Sequence, residues 1–149
     1  MAVTKSGLYV PTWMDMLDTS DLDIDLDATT HKVAMFNNSV TPNFSSDTAY
    51  GSAPYNANEV SGTGYTAGGT LLPSPTLTES PAGTLKWNSG NIDWATSTIT
   101  AARAALIYAD ALLDQAIALI NFGADYSTVS GLFRIQPHAN GLVTIQIVP

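Results

Sequence analysis

A glycine-rich run in the middle of the chain limits its folding more than any other segment. Residues 58–69 read Asn-Glu-Val-Ser-Gly-Thr-Gly-Tyr-Thr-Ala-Gly-Gly, with four glycines within eight positions. Glycine has too much backbone freedom to suit a helix or a regular strand interior. It is also the residue that enters the left-handed region without a steric cost. We therefore predict a tight loop of defined shape here.

The composition indicates one domain with few charges. Hydrophobic residues make up 45% of the 149 residues and charged residues 12%, against a usual charged share of roughly 25%. The net charge is −8 and no cysteine is present, so disulfides and thiolate metal sites are ruled out. Nucleic-acid binding needs lysine and arginine side chains clustered on one surface. We predict no such role, because the five basic residues are scattered: Lys5, Lys32, Lys86, Arg103 and Arg134.

The apolar segments are short. The N-terminus lacks an apolar stretch of signal-peptide length, and no segment is long enough for a transmembrane helix. We therefore expect a protein that is made in the cytoplasm and has no membrane partner.

Two regions are predicted along the chain: an N-terminal arm at residues 1–20 and a single β domain at residues 21–149. The arm either folds back on its own domain or reaches onto a neighbouring subunit. An apolar stripe on the arm requires a partner surface in either case: Tyr9, Val10, Trp13, Met14, Met16 and Leu17.

Period-two alternation marks the first predicted strand, residues 21–27, in which four aspartates alternate with apolar residues. A second strand is predicted at residues 31–37 and a third begins at Thr70–Leu72. Further short strands are predicted around Leu85 and Trp87, and around Ile92 and Trp94.

The stretch at residues 101–120 is ambiguous, because its eight alanines favour a helix by local propensity. Its apolar runs, residues 106–108 and 116–122, also fit two buried antiparallel strands. We favour two strands, joined by a turn at Ala111–Asp114.

The end of the chain predicts a hairpin. Residues 132–136 and 142–148 are both strand-like, and Asn140-Gly141 between them is a strong hairpin signal. With six to eight short strands, we predict a mainly β fold: an antiparallel β-sandwich or small, jelly-roll-like barrel. It carries a long glycine-rich loop and the N-terminal arm.

Residues 38–69 form a long polar segment with little apolar periodicity, which is typical of an interaction surface. Tyrosines among small residues make adaptable contact surfaces. The candidate partner-binding residues are therefore the aromatic residues of this loop and of the arm: Tyr9, Trp13, Tyr50, Tyr55 and Tyr65.

No catalytic or metal-binding motif stands out. Asp21, Asp23 and Asp25 match the start of a calcium-binding EF-hand loop, but Leu26 replaces its glycine and Lys32 its glutamate. Neither histidine lies in a nucleophile motif. We predict no enzyme, no cofactor and no specific metal site.

The run Asn58-Glu59-Val60-Ser61-Gly62-Thr63-Gly64-Tyr65 resembles a signature of small structural proteins in tailed-bacteriophage particles. Residues 94–101 and 119–123 fit the same family, and the resemblance spans residues 20–148. Two features depart from it. Thr66-Ala67-Gly68-Gly69 stands where a basic residue usually follows, and residues 101–118 are unusually rich in alanine.

The resemblance implies a capsid decoration, or cement, protein on the outer surface of the phage head. Its partner would be the major capsid protein. The chain would form a homo-oligomer, and a trimer would suit local three-fold sites. The alternative is a minor tail or tail-fibre component that acts in tail assembly or host adhesion. A third hypothesis, a cellular sugar-binding β-sandwich, would use tryptophans as stacking platforms.

Overall fold

The computed structural model describes residues 2–18 and 23–148. Strands account for 41% of the described residues and helix for 6%, so the predicted mainly β fold is confirmed. The elements, in chain order, are β1 (Gly7–Leu8), α1 (Val10–Leu17), β2 (His31–Phe36), β3 (Thr70–Leu71), β4 (Thr76–Glu79), β5 (Thr84–Asn88), β6 (Ile92–Ser97), β7 (Ala102–Ala109), β8 (Gln115–Tyr126), β9 (Gly131–Ile135) and β10 (Val143–Gln146).

Antiparallel pairing arranges the described strands in three sheets, none of which closes on itself. The largest has the order β1-β8-β7-β2-β3, and the smaller ones have the orders β10-β5-β4 and β6-β9. The main core lies between the large sheet and the two smaller sheets, as in a sandwich. It joins Met35 and Ile107 of the large sheet to Trp87, Ile92 and Phe133 of the smaller ones.

A second core covers the opposite face of the large sheet. There the arm and residues 40–55 pack on β2, β7 and β8, with Tyr9, Val40 and Tyr55 all buried. The central strands are therefore buried on both faces, which explains their alanines. Small side chains let another layer pack closely on each face of the sheet. Ala105 lies on the face that forms the main core, and Ala104 lies on the face that forms the second core.

The strand predictions along β2, β3, β5 and β6 are confirmed. Residues 101–122 form two strands, β7 and β8, rather than a helix. Their turn includes Leu113 and Asp114, both of which have positive φ. Tertiary packing on both faces overrides the helix propensity of alanine.

The strand predicted at residues 21–27 is wrong for the described part, residues 23–27, which form no strand; Asp21 and Leu22 lie outside the described residues. Alternation does place Leu26 inside and Asp23, Asp25 and Asp27 outside. Side chains rather than a neighbouring strand bind the backbone. The carbonyl of Asp25 lies 2.8 Å from His31 Nε2, and that of Leu26 accepts a bond of 2.7 Å from Trp87 Nε1.

The hairpin predicted at the end of the chain is also wrong. β9 pairs with β6, whereas β10 pairs with β5. The turn itself forms, with Gly141 at φ 94° and its N–H 2.7 Å from the carbonyl of His138. A Cβ on Gly141 would lie 2.6 Å from the Trp87 carbonyl oxygen, so this turn packs against β5 and directs the chain into that sheet.

The described part of the arm folds back on its own chain, which was the first of the two alternatives. Gly7–Leu8 pairs with residues 118–119 of β8. On the buried face of α1, the hydroxyl of Thr12 donates to the carbonyl of Ala116. Within residues 2–18 and 23–148, no helix has the length and apolarity needed to span a membrane.

Substituting leucine for Ala105, which is fully buried, should test the two-sided packing. We expect Ala105→Leu to lower the free energy of unfolding by about 1–3 kcal/mol, because the main core, in which Ala105 packs, has no space for the larger side chain. Chemical denaturation measures this change. The matched substitution Ala111→Leu, in the exposed turn, should change it by less than about 0.5 kcal/mol. Equal effects at the two positions would contradict the packing described here.

Candidate functional site

The glycine-rich loop adopts the backbone that its sequence predicts. Asn58, Gly62, Gly64, Gly68 and Gly69 all have positive φ, between 66° and 147°. Close approach adds a second requirement at two of them. A Cβ on Gly62 would lie 1.8 Å from the Thr98 carbonyl oxygen, and one on Gly69 would lie 1.7 Å from that of Val33. Only glycine satisfies both conditions at these positions.

The carboxylate of Glu59 joins the parts of this loop. Its Oε1 accepts hydrogen bonds from the Tyr65 hydroxyl at 2.7 Å and the Gly68 N–H at 2.8 Å. Its Oε2 accepts one from the Tyr50 hydroxyl at 2.8 Å. The Tyr65 oxygen in turn accepts the N–H of Met35 on β2 at 2.9 Å. One side chain therefore links the loop to itself and, through Tyr65, to the large sheet.

Tyrosine rings complete this cluster. Tyr50 stacks on Tyr108 with ring centroids 4.6 Å apart, and the Tyr108 hydroxyl donates to the carbonyl of Gly68 at 2.7 Å. Burial, aided by the hydrogen bond to Glu59, raises the pKa of Tyr50 to about 12 and also raises the pKa of Tyr65. Both hydroxyls therefore remain protonated donors at neutral pH. We call Glu59, Tyr50, Tyr65, Gly68 and Tyr108 the Glu59 cluster.

Backbone bonds extend the loop to both layers of the sandwich. The Val60 N–H donates to the Met35 carbonyl at 2.9 Å, on the large sheet. The Thr98 N–H donates to the Thr63 carbonyl at 2.8 Å, just after β6. The signature run is thus a structural connection between the sheets.

Two of the five predicted contact residues are buried in the fold, and the other three, Trp13, Tyr50 and Tyr65, are half-buried. Tyr9 and Tyr55 are 0% and 2% exposed, their hydroxyls bond to each other, and burial raises the pKa of both. In this conformation these two side chains have no surface to offer a partner. Tyr50 and Tyr65 are half-buried in the Glu59 cluster. Their role in binding a partner stays a prediction, as does that of Trp13 on the arm.

Exposed apolar side chains on α1 form a separate surface. Val10, Met14 and Leu17 are 47%, 64% and 83% exposed. With Leu8 and Trp13 they line a shallow cavity of about 210 Å³. The sequence contained a signal for this surface, since the spacing i, i+4, i+7 places three residues on one helix face. We call these three residues the arm stripe.

A larger groove of about 480 Å³ lies between the end of β8 and strand β9. Phe122 and Phe133, whose ring centroids are 6.1 Å apart, form part of its apolar lining. Tyr126, 52% exposed, lies at the same groove. Arg134 also lines it and forms a two-pronged ion pair with Asp93 at 2.7 and 2.8 Å. The groove is therefore mainly apolar, and its cation is already neutralised.

The two histidines bond to backbone groups rather than to nucleophiles. Burial lowers the pKa of His31, whose Nε2 contacts the Asp25 carbonyl, so its ring is neutral at pH 7. His138 is exposed, and its Nδ1 accepts the Asn140 N–H at 3.1 Å. Within the described residues, no three His, Asp or Glu side chains come together as a metal site would require.

No family model matches the chain, and no curated protein or solved structure matches it. The geometry of the Glu59 cluster, of the arm stripe and of the groove therefore has to indicate what the chain does.

Replacing Glu59 by glutamine tests the role of the cluster. We expect Glu59→Gln to lower the free energy of unfolding by about 1–3 kcal/mol. The NH₂ group of glutamine replaces one of the two accepting oxygens, so one hydrogen-bond donor of the cluster loses its acceptor. Chemical denaturation of the two proteins measures the difference.

The chain's other glutamate supplies the control. Glu79 is exposed and accepts the Gly83 N–H at 2.7 Å, so Glu79→Gln should change stability by no more than about 0.5 kcal/mol. If Glu59→Gln is as stable as the wild type, the claim that the Glu59 cluster stabilises the fold is wrong.

Proposed function

We propose that this chain is a capsid decoration protein of a tailed bacteriophage. It binds the major capsid protein on the outer surface of the head and stabilises contacts between capsid subunits. The observation that carries the proposal is the arm stripe, because exposed apolar side chains on an anchored helix suit a contact with another protein. The resemblance of residues 58–65 to a phage virion signature supports the choice of partner.

Physical properties of the chain agree with this role. A decoration protein contacts several subunits at once, so avidity compensates for modest single contacts. A trimer on local three-fold sites would present three arm stripes together. The net charge of −8 opposes aggregation before assembly. The described bonds of both histidines go to backbone groups, which supports a role other than catalysis.

The alternative is a tail-associated protein. The groove between β8 and β9 favours it, because an apolar cavity of about 480 Å³ with an exposed tyrosine has the size of a site for a small ligand on a host surface.

Cryo-electron microscopy of the parent particle, with the copy number from quantitative mass spectrometry, distinguishes these functions. We expect density for the chain on the outer shell and on the order of hundreds of copies per head, as a repeated multivalent contact requires. Density confined to the tail, with few copies, would replace the decoration role by the tail role. Absence of the chain from the particle would contradict both.

A further inference from the structure

The arm stripe is presented on a helix that is fixed in place before any partner arrives. The Val10 N–H donates to the Phe44 carbonyl at 2.8 Å, at the start of α1. On the buried face, Thr12 accepts a hydrogen bond of 3.0 Å from the Gln115 side chain. A partner therefore meets an ordered apolar surface, and binding does not have to order the helix.

An acidic segment flanks this surface. Asp23, Asp25 and Asp27, which we call the acidic segment, are all exposed. Leu26, which lies between the last two of them, shares an apolar cavity with Trp13 of α1. The acidic segment therefore lies beside the helix that carries the arm stripe.

The described chain leaves the acidic segment without a basic partner. Its three ion pairs lie elsewhere, at Lys32–Asp110, Arg103–Asp125 and Arg134–Asp93. The contact with Asp25 raises the pKa of Asp27, as expected where two carboxylates meet without a cation. The charges beside the arm stripe are thus uncompensated within the residues that the structure describes.

We propose that the arm stripe docks, as a two-turn helix, into an apolar groove on another protein whose rim carries lysine or arginine beside the acidic segment. The inference rests on the proposed function, under which this groove belongs to the major capsid protein. A second copy of the chain does not fit, because it would bring two acidic segments together on chains of net charge −8. Complementary charge orients the contact, and apolar burial holds it.

Binding to heads that lack this chain tests the apolar part of the contact. The variant Met14→Ser with Leu17→Ser should bind at least about tenfold more weakly than the wild type. Its control, Leu113→Ser with Val129→Ser, removes side chains that are 90% and 83% exposed elsewhere on the surface and should bind like the wild type. Circular dichroism and thermal unfolding establish that both variants are folded.

Salt tests the charged part. Raising sodium chloride from about 0.05 M to about 0.5 M should weaken wild-type binding by about tenfold or more. Asp23→Asn with Asp27→Asn should bind more weakly at low salt and lose much of that dependence. Asp125→Asn, which removes an acid of β8 that pairs with Arg103, should retain the salt dependence.

The outcomes separate the two claims. If heads bind the wild type and the Met14/Leu17 variant equally, the docking inference is overturned while the decoration role stands. If sedimentation shows that the wild type dimerises without heads and the variant does not, the occupant is a second copy and the inference is overturned. If heads do not bind the wild type, the decoration role fails and the capsid groove with it.

Discussion

The hydrogen bonds that converge on Glu59 determine where the long polar loop lies, and much of the remaining structure depends on that position. The carboxylate holds Tyr50, Tyr65 and the Gly68 N–H together, and Tyr65 passes the connection to Met35 on the large sheet. A carboxylate taken from water needs such donors to offset its lost hydration. The loop that the sequence predicts as an interaction surface is therefore also part of the scaffold. The loop holds Tyr50 and Tyr65 half-buried against the large sheet.

The large sheet, covered on both faces, explains how the arm becomes such a surface. One face of the sheet packs on the smaller sheets and the other on the arm and residues 40–55. Tyr9 and Thr12 are buried there, so α1 is held with its other side facing outward. Val10, Met14 and Leu17 then remain exposed on a rigid support. This arrangement offers apolar contact area on a supported helix, which is the feature that the proposed function uses.

Local pattern predicted much of the fold, because alternation and turn chemistry act over a few residues. This was sufficient for β2, β5 and β6, and for the positive φ of the glycines in the signature. At β7 and β8 local propensity favours a helix, and the strands form because both faces of the large sheet are covered. It failed where partners lie far apart in sequence. Asp23–Asp27 has the alternation of a strand, but His31 and Trp87 side chains bind its backbone instead of a neighbouring strand. The Asn140-Gly141 turn forms, but Gly141 packs on Trp87 and β10 joins a different sheet from β9. Glu59 had one weak signal, a lone acid within a glycine-rich run, and the three donors that meet it could not be read from spacing.

The central structural claim is that the signature run acts as a bonded unit around Glu59, and a double-mutant cycle tests it most directly. The free energy of unfolding would be measured for the wild type, Glu59→Gln, Tyr65→Phe and the double variant. Because both substitutions break the same 2.7 Å hydrogen bond, the account predicts a coupling energy of about 1 kcal/mol or more between the two positions. Additive losses, to within about 0.3 kcal/mol, would contradict it, and the loop would then have to be regarded as a surface whose shape does not depend on its carboxylate.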